Sequence, residues 1–549
     1  MGAVASDLKL PANMQGMEKG TAHKPWDEAR VRVLLAHPDR YEVAAGSAAI
    51  SILYQLVNRH PNYLAERAFL LAGDVRSLLR QQGLRQFSLE SRHAITAFDL
   101  LGISMPTELL YPNLVQFLRD AGLSPWAARR GEHEPLVAAG GVASFNPLPI
   151  APLVDLVFVG EAEESLIEVL ALLETKKHLA KAEKLAALAR IPGIYVPRIH
   201  QREMQVVSKR ALRDLTLLTD LTDPVIPYGS EDMPRSALQL TRGCAWKCRY
   251  CQAGFTTLPL RYLSVDQVAQ TVEKLHQNGI REVSLLALNA IDYPHLESLA
   301  TQLNDKAQGV RVPSIKMDRV DPELIRPLGN MFFSHALEAG TERLRRAINR
   351  PYTDADSDRA VEHILILGGE HIYMDFMIGL PTESDADVIG IAHTVARVAD
   401  RVRGRAKLTV SVSPFVPKPH TPLQWHVQLL PAELRRRAAL LDQYASQAEH
   451  VTYRLRDPEP SLIEGLFARG DEQVSHLVVK AAEQGVVDMD WNNRFKEEEW
   501  LKLGRQCGLD VHALVQHSYT ASDDLPWDVI NVGIQKKFFV REWERTLAE

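Results

Sequence analysis

The sequence predicts an α/β protein in three parts. A doubly wound, Rossmann-like (flavodoxin-like) parallel sheet is expected at residues 28–175, a partial (β/α)6 barrel of the TIM type at 236–430, and a helical region at 431–549. Three observations predict this. Apolar runs of strand length alternate with helix-period stretches through the first two parts. A charged segment from Lys176 and an Asp- and Pro-rich strap over 215–235 separate them. Beyond Pro458 the chain reads as helical only.

In the first part, Val31 to His37 is an apolar run ended by Pro38, followed by a helical stretch from Ala48 to Leu56. Further strands are expected at Glu66 to Ala72, Ala97 to Ser104, Leu136 to Ala139 and Leu156 to Val159. In such sheets ligands bind beyond the carboxyl ends of the strands. Ser104, Gly140, Gly141 and Gly160 all lie at those ends, although glycine after a strand is also an ordinary turn signal.

Strand signals in the barrel fall at Ala237 to Thr241, Glu282 to Leu288, Val312 to Met317, Phe332 to Glu338, Ile372 to Ile378 and Leu408 to Val412. The helix Val265 to Gln277 is opened by Ser264 and closed by Gly279. In a barrel of βα units, chemistry belongs on the loops at the carboxyl ends of the strands.

The loop after the first barrel strand carries Cys244, Cys248 and Cys251; only Cys507 lies elsewhere. Thiolates suit iron-sulfur clusters, and this spacing points three sulfurs at one cluster. Three ligands on a four-iron cubane leave one iron open to a small molecule, which suggests chemistry rather than simple electron transfer. The alternative is a structural zinc site, for which the nearest downstream histidine is His276 in a helical stretch. Three clustered cysteines and one distant one do not make a disulfide framework.

Composition bounds the function. The 549 residues suffice for two or three domains, and 46% hydrophobic with 24% charged residues is the ordinary globular balance. A net charge of -6 gives no electrostatic argument for a nucleic-acid partner. No apolar run reaches membrane-span length; the nearest, Pro147 to Val159, carries Asp155. The leader Met1 to Lys19 lacks a signal-peptide core, and its match to a myristoylation pattern is short enough to arise by chance. Free cysteines fit a cytoplasmic setting.

The cysteine spacing, with Tyr250 before the last cysteine, resembles the signature of the radical S-adenosylmethionine (SAM) superfamily. The resemblance implies a [4Fe-4S] cluster whose open iron is chelated by SAM, and reductive cleavage to a 5'-deoxyadenosyl radical. It further implies a one-electron reductant such as flavodoxin or ferredoxin. Glu338, in Ala-Leu-Glu-Ala-Gly-Thr-Glu, resembles the position that binds the SAM ribose. Ile378 and Gly379, in Asp-Phe-Met-Ile-Gly-Leu-Pro-Thr-Glu, resemble the element that packs on adenine and makes room for it. The family's glycine-rich turn after the second strand is replaced by Leu288 to Tyr293, which leaves the backbone around Asn289 to receive the SAM amino group. A literal Gly368-Gly369-Glu370 reads as a helix stop. Lys418 and His420, in the exit from the sixth strand, either meet substrate or are solvated loop residues.

The stretches around Ser104, Gly140-Gly141 and Gly160 resemble the cobalamin-binding domain that precedes many such barrels. The Asp-x-His-x-x-Gly motif of classical cobalamin proteins is missing: His37 sits in His-Pro-Asp-Arg, and His512 follows no strand. Over nearly its whole length the chain resembles a large, mostly uncharacterised bacterial family of cobalamin-domain radical SAM proteins. The implied activity is cobalamin-dependent methyl transfer to an unactivated carbon. The alternatives are cobalamin-independent rearrangement, ring formation or sulfur insertion, and a non-catalytic sensor. The substrate is not legible.

Overall fold

The computed structural model describes residues 14, 18–201, 203–303, 309–313, 321–328, 331–445, 448–487 and 496–549. Most of the leader, the end of the expected third barrel strand and Trp491 lie outside them.

The N-terminal sheet contains β1 (Val31–His37), β2 (Tyr63–Phe69), β3 (Leu100–Ser104), β4 (Leu136–Gly140), β5 (Leu156–Phe158) and β6 (Ile194–Tyr195). The order is β2-β1-β3-β4-β5-β6, parallel except for the antiparallel β6 edge. Strand order therefore reverses where β1 meets β3. Alternate residues feed two cores, as a period of two requires. Leu34, Ala36, Leu101 and Ile103 pack on the helix Tyr111–Asp120 and, beyond it, on the C-terminal helices Glu459–Arg469 and Val474–Glu483. Val33, Leu35, Leu100 and Ala138 pack instead with Ile50, Tyr54 and Val57 of the helix Ala48–Arg59, spaced at one helical face.

β2 begins and ends three residues before the expected position. The sequence discourages a strand centred on Glu66-Arg67, but both side chains are buried and satisfied. Arg67 pairs with Glu18 at 2.9 Å and Glu90 at 2.7 Å, and Glu66 accepts from the Ser91 hydroxyl at 2.7 Å. β6 lies in the segment expected to be linker, because Ile194 and Tyr195 are apolar enough to close the sheet edge.

The second half contains β7 (Arg235–Gln239), β8 (Glu282–Leu286), β9 (Val310–Pro313), β10 (Met331–Phe332), β11 (Ser334–Glu338), β12 (His371–Ile378), β13 (Lys407–Pro414) and β14 (Val451–Leu455). They form two four-stranded parallel sheets, β10-β9-β8-β7 and β11-β12-β13-β14. β10 and β11 are one stretch of chain around Phe333, whose carbonyl accepts from Tyr373 N at 2.9 Å, so this stretch joins the two sheets. β14 lies in the region expected to be helical; Val451 and Tyr453 pack on the core while Thr452 and Arg454 are exposed, the period of two that a strand requires.

The C-terminal region buries Trp500 and Trp527, 1% and 0% exposed, against the N-terminal sheet's core. Its last helix, Lys536–Leu547, returns to the cysteine loop. No helix among the described residues is long and apolar enough to cross a membrane.

Candidate active site

The cysteine loop leaves β7 through a tight turn. Gly243 adopts φ 95°, and a Cβ there would meet the Pro259 carbonyl at 2.7 Å, so only glycine fits. Cys251 N donates to Cys248 O at 3.0 Å and Gly254 N to Cys251 O at 3.1 Å, which winds the end of the loop. Cys248 is buried; Ala245 and Lys247 are exposed. Three anchors hold the loop. Asp292 accepts from Trp246 Nε1 at 2.7 Å and from Ala245 N at 3.3 Å. Asn349 Nδ2 donates to the carbonyls of Trp246 and Lys247 at 3.0 and 3.1 Å. Arg249 donates to Ala347 O at 2.7 Å and pairs with Glu542 at 3.0 Å.

Burial is the largest cause pushing the Cys244 and Cys251 thiols up to about 11. Cationic iron held there would offset that cost by binding the thiolate form. Among the described residues no three His, Cys, Asp or Glu side chains converge on one ion position, which is the geometry a tetrahedral zinc site requires. A cluster asks less of them, since each sulfur binds its own iron. The donor set fits a [4Fe-4S] cluster.

Tyr250 of the cysteine loop and Met377 pack on Ala339, Leu344, Leu380 and Phe415. The Tyr250 hydroxyl donates to Glu338, which sits at a bulge of β11 with φ 69°. A non-glycine residue in that conformation costs on the order of 1 kcal/mol or more, and such strain concentrates at functional sites. Burial raises the Glu338 carboxyl despite the opposing charge of Arg350. Arg350 was not expected from the sequence: its Nε and Nη2 donate to Ala336 O at 2.9 and 2.6 Å, and its Nη1 faces Cys248 Sγ at 3.7 Å. Nothing in Asn-Arg-Pro-Tyr distinguishes it from a solvated arginine.

Other expected positions fall differently. Asn289 is 7% exposed and its Nδ2 donates to Asp292 at 3.4 Å, and it is the Asp292 side chain that contacts the cysteine loop. Ile378 is 4% exposed and belongs to the core between β12 and its helices, because strand alternation turns it away from Met377. Gly379 adopts φ 93°, and a Cβ would meet Leu434 at 3.1 Å and Leu429 at 3.4 Å. The leucines thus lie on the side that a Cβ would occupy. Lys418 and His420 are not solvated. Lys418 is held between Glu108 and Glu464, each at 2.7 Å, and His420 Nε2 lies 3.0 Å from Phe145 O. They join the sixth-strand exit to the N-terminal half.

Ser104, Gly140, Gly141 and Gly160 line a single cavity of about 260 Å³ at the point where strand order reverses. Its walls are mainly apolar, with Leu35, Ile50 and Phe158 among them. Gly141 and Gly160 are glycine for a local reason: both have positive φ, and a Cβ would meet Met105 O at 2.6 Å and Arg210 O at 2.2 Å. The opposite wall includes Gln239 and Arg242, just ahead of Cys244. Arg242 pairs with Glu163 and, at 3.2 Å, with Glu161, which Arg261 also holds at 2.7 Å. These four charges tie the cavity's rim to the cysteine loop.

Residues 49–197 match the family described as radical SAM proteins, N-terminal, and residues 238–395 match the radical SAM superfamily. The chain belongs to the radical SAM superfamily. It is an enzyme of that superfamily, whose members use SAM and an iron-sulfur cluster. It is 24% identical to an uncharacterized protein of Methanocaldococcus jannaschii, MJ0966, over 81% of this chain and 89% of that one. It is 25% identical to the tRNA-2-methylthio-N(6)-dimethylallyladenosine synthase of Thermus thermophilus, over 40% of this chain and 49% of the synthase. Its fold resembles the radical S-adenosylmethionine methyltransferase TsrM from Kitasatospora setae, solved with tryptophan and a SAM analog, with a TM-score of 0.54. That match spans 84% of this chain and 99% of TsrM at 13% identity.

Proposed function

We propose that this radical SAM protein holds a [4Fe-4S] cluster on Cys244, Cys248 and Cys251 and transfers a methyl group to an unactivated carbon, with cobalamin as the second cofactor. In this reading residues 28–175 form a flavodoxin-like cobalamin domain, supported by the order β2-β1-β3-β4-β5. The two joined parallel sheets form the partial barrel, with β14 as an added strand.

The observation that carries the reading is the apolar cavity at the strand-order reversal, walled on its far side by Arg242 next to the cysteine loop. At about 260 Å³ it suits the base of a nucleotide tail and not a whole corrin ring. Ser104, Gly140, Gly141 and Gly160 would line the tail. When bound, the cluster and SAM supply a 5'-deoxyadenosyl radical, and cobalamin supplies a methyl carrier. Glu338 and Tyr250 offer the SAM ribose an acceptor and a hydroxyl. Met377 replaces Ile378 as the apolar residue facing the site. A one-electron reductant such as flavodoxin or ferredoxin would approach the exposed Ala245 and Lys247.

Sulfur insertion from a second cluster is disfavoured, because Cys507 is the one remaining cysteine. Rearrangement or ring formation without cobalamin is the reading that stands if no corrinoid binds. The test is anaerobic reconstitution followed by titration with hydroxocobalamin, and separately incubation with dithionite and SAM. Corrinoid binding with 5'-deoxyadenosine formation is expected. Deoxyadenosine without corrinoid affinity would remove the methyl-transfer reading and leave the radical enzyme intact.

A further inference from the structure

Arg350 stands where a charge acts most strongly on a cluster. Two of its nitrogens are committed to one acceptor, Ala336 O at 2.9 and 2.6 Å, which fixes the guanidinium plane. The remaining terminal nitrogen is thereby aimed at Cys248 Sγ, 3.7 Å away, within the reach of a hydrogen bond to sulfur. Cys248 is 6% exposed, so water screens this contact poorly. Guanidinium keeps its charge at every accessible pH. The groups facing it are Glu338, whose carboxyl is also bonded by Tyr250, and the ring of Tyr352, 5.7 Å from its central carbon.

Cluster potentials are set by net charge, hydrogen bonds to sulfur and solvent exposure, and Arg350 supplies the first two at one sulfur. Reduction adds one electron to the cluster and breaks no bond. A fixed cation and an N–H donor beside a ligand sulfur favour that added negative charge.

We infer that Arg350 is a positioning residue that raises the reduction potential of the cluster through Cys248, making it easier for a weak biological reductant to fill. This rests on the assignment of Cys244, Cys248 and Cys251 as cluster ligands. Lysine cannot reproduce the arrangement, because one ammonium cannot span Ala336 O and the sulfur while keeping a fixed plane.

The test is a potential, measured without SAM and without turnover. Wild type, R350M and R350K are reconstituted anaerobically, their iron and sulfide counted, and each is titrated with dithionite while the reduced cluster is followed by electron paramagnetic resonance. At a fixed poise R350M is expected to hold about a tenfold smaller ratio of reduced to oxidised cluster, equivalent to ~59 mV for a one-electron couple. R350K is expected to fall between R350M and wild type. A wild-type protein that assembles no cluster would remove the ligand assignment itself. With the wild-type cluster present, R350M titrating at the wild-type potential would overturn the role of Arg350. Should R350M fail to assemble, R350K decides in the same way, and failure of both to assemble would make Arg350 a structural support and overturn the inference.

Discussion

Arg249 of the cysteine loop and Glu542 of the last helix form an ion pair at 3.0 Å, with both residues under 10% exposed. Nearly three hundred residues separate them in sequence, so the last helix is part of the frame around the cysteine loop. Phe539 of the same helix meets Phe255, just past Cys251, edge-on at 5.5 Å. The helix thus braces the loop through one charged and one aromatic contact.

Replacing Glu542 with alanine leaves the Arg249 charge buried and unpaired, which costs about 3–5 kcal/mol in comparable sites. E542A is expected to lower the thermal midpoint and to reconstitute with less iron than wild type. E542Q, which keeps an acceptor for the guanidinium, is expected to lose less of both. Iron content equal to wild type in E542A would refute the bracing role.

Each of C244A, C248A and C251A is expected to abolish the reduced-cluster signal and 5'-deoxyadenosine formation, since the fourth cysteine, Cys507, lies outside the loop. C507A is expected to match wild type in both assays. Chromatographic detection of 5'-deoxyadenosine after incubation with dithionite and SAM checks the set, and activity surviving in C248A would contradict the assignment.

Ala49 is exposed on the helix Ala48–Arg59 and lines the 260 Å³ cavity. A49F fills that space without entering a packed core. Hydroxocobalamin affinity is expected to fall at least tenfold, about 1.4 kcal/mol, while deoxyadenosine formation persists. Unchanged corrinoid binding in spectrophotometric titration would place the cofactor elsewhere.

Burial, ahead of the opposing Gly379 N–H and Arg437, pushes the Glu383 carboxyl up to about 7. A raised carboxyl binds its proton more tightly in the folded chain than in the unfolded one. Its contribution to stability is therefore full below about 4.5 and is lost as pH rises to about 7. E383Q should remove this slope, so its thermal midpoint should vary less with pH across that window than that of wild type. Parallel slopes for the two proteins would show that Glu383 does not titrate there.

The legible features were local ones. Cysteine spacing, the Ser264 cap, the helix stop at Gly368 (φ 77°) and the alternation of strands and helices each depend on residues close in sequence. The strand-end residues Ser104, Gly140, Gly141 and Gly160 were also findable, because a carboxyl-end position follows from strand order. Asp292 and Arg350 were not, since a charged residue near a loop reads as solvated until its partner is known. Ile378 lies in the core and its neighbour Met377 beside Tyr250, which the motif does not distinguish. The motif points to a short segment, and only the register of β12 with β13 decides which of its neighbours faces inward.

The sequence by itself determined the superfamily, the clustered cysteine triad proposed to hold the cluster and the succession of two α/β units, because these rest on spacing and periodicity. Tertiary structure alone decided what surrounds that triad: the Asp292, Asn349 and Arg249 anchors, the Arg350 contact, and the C-terminal brace. Those contacts depend on distances between segments far apart in the chain, and charge or hydrogen-bonding capacity acquires a role only when folding removes water and brings a partner within reach.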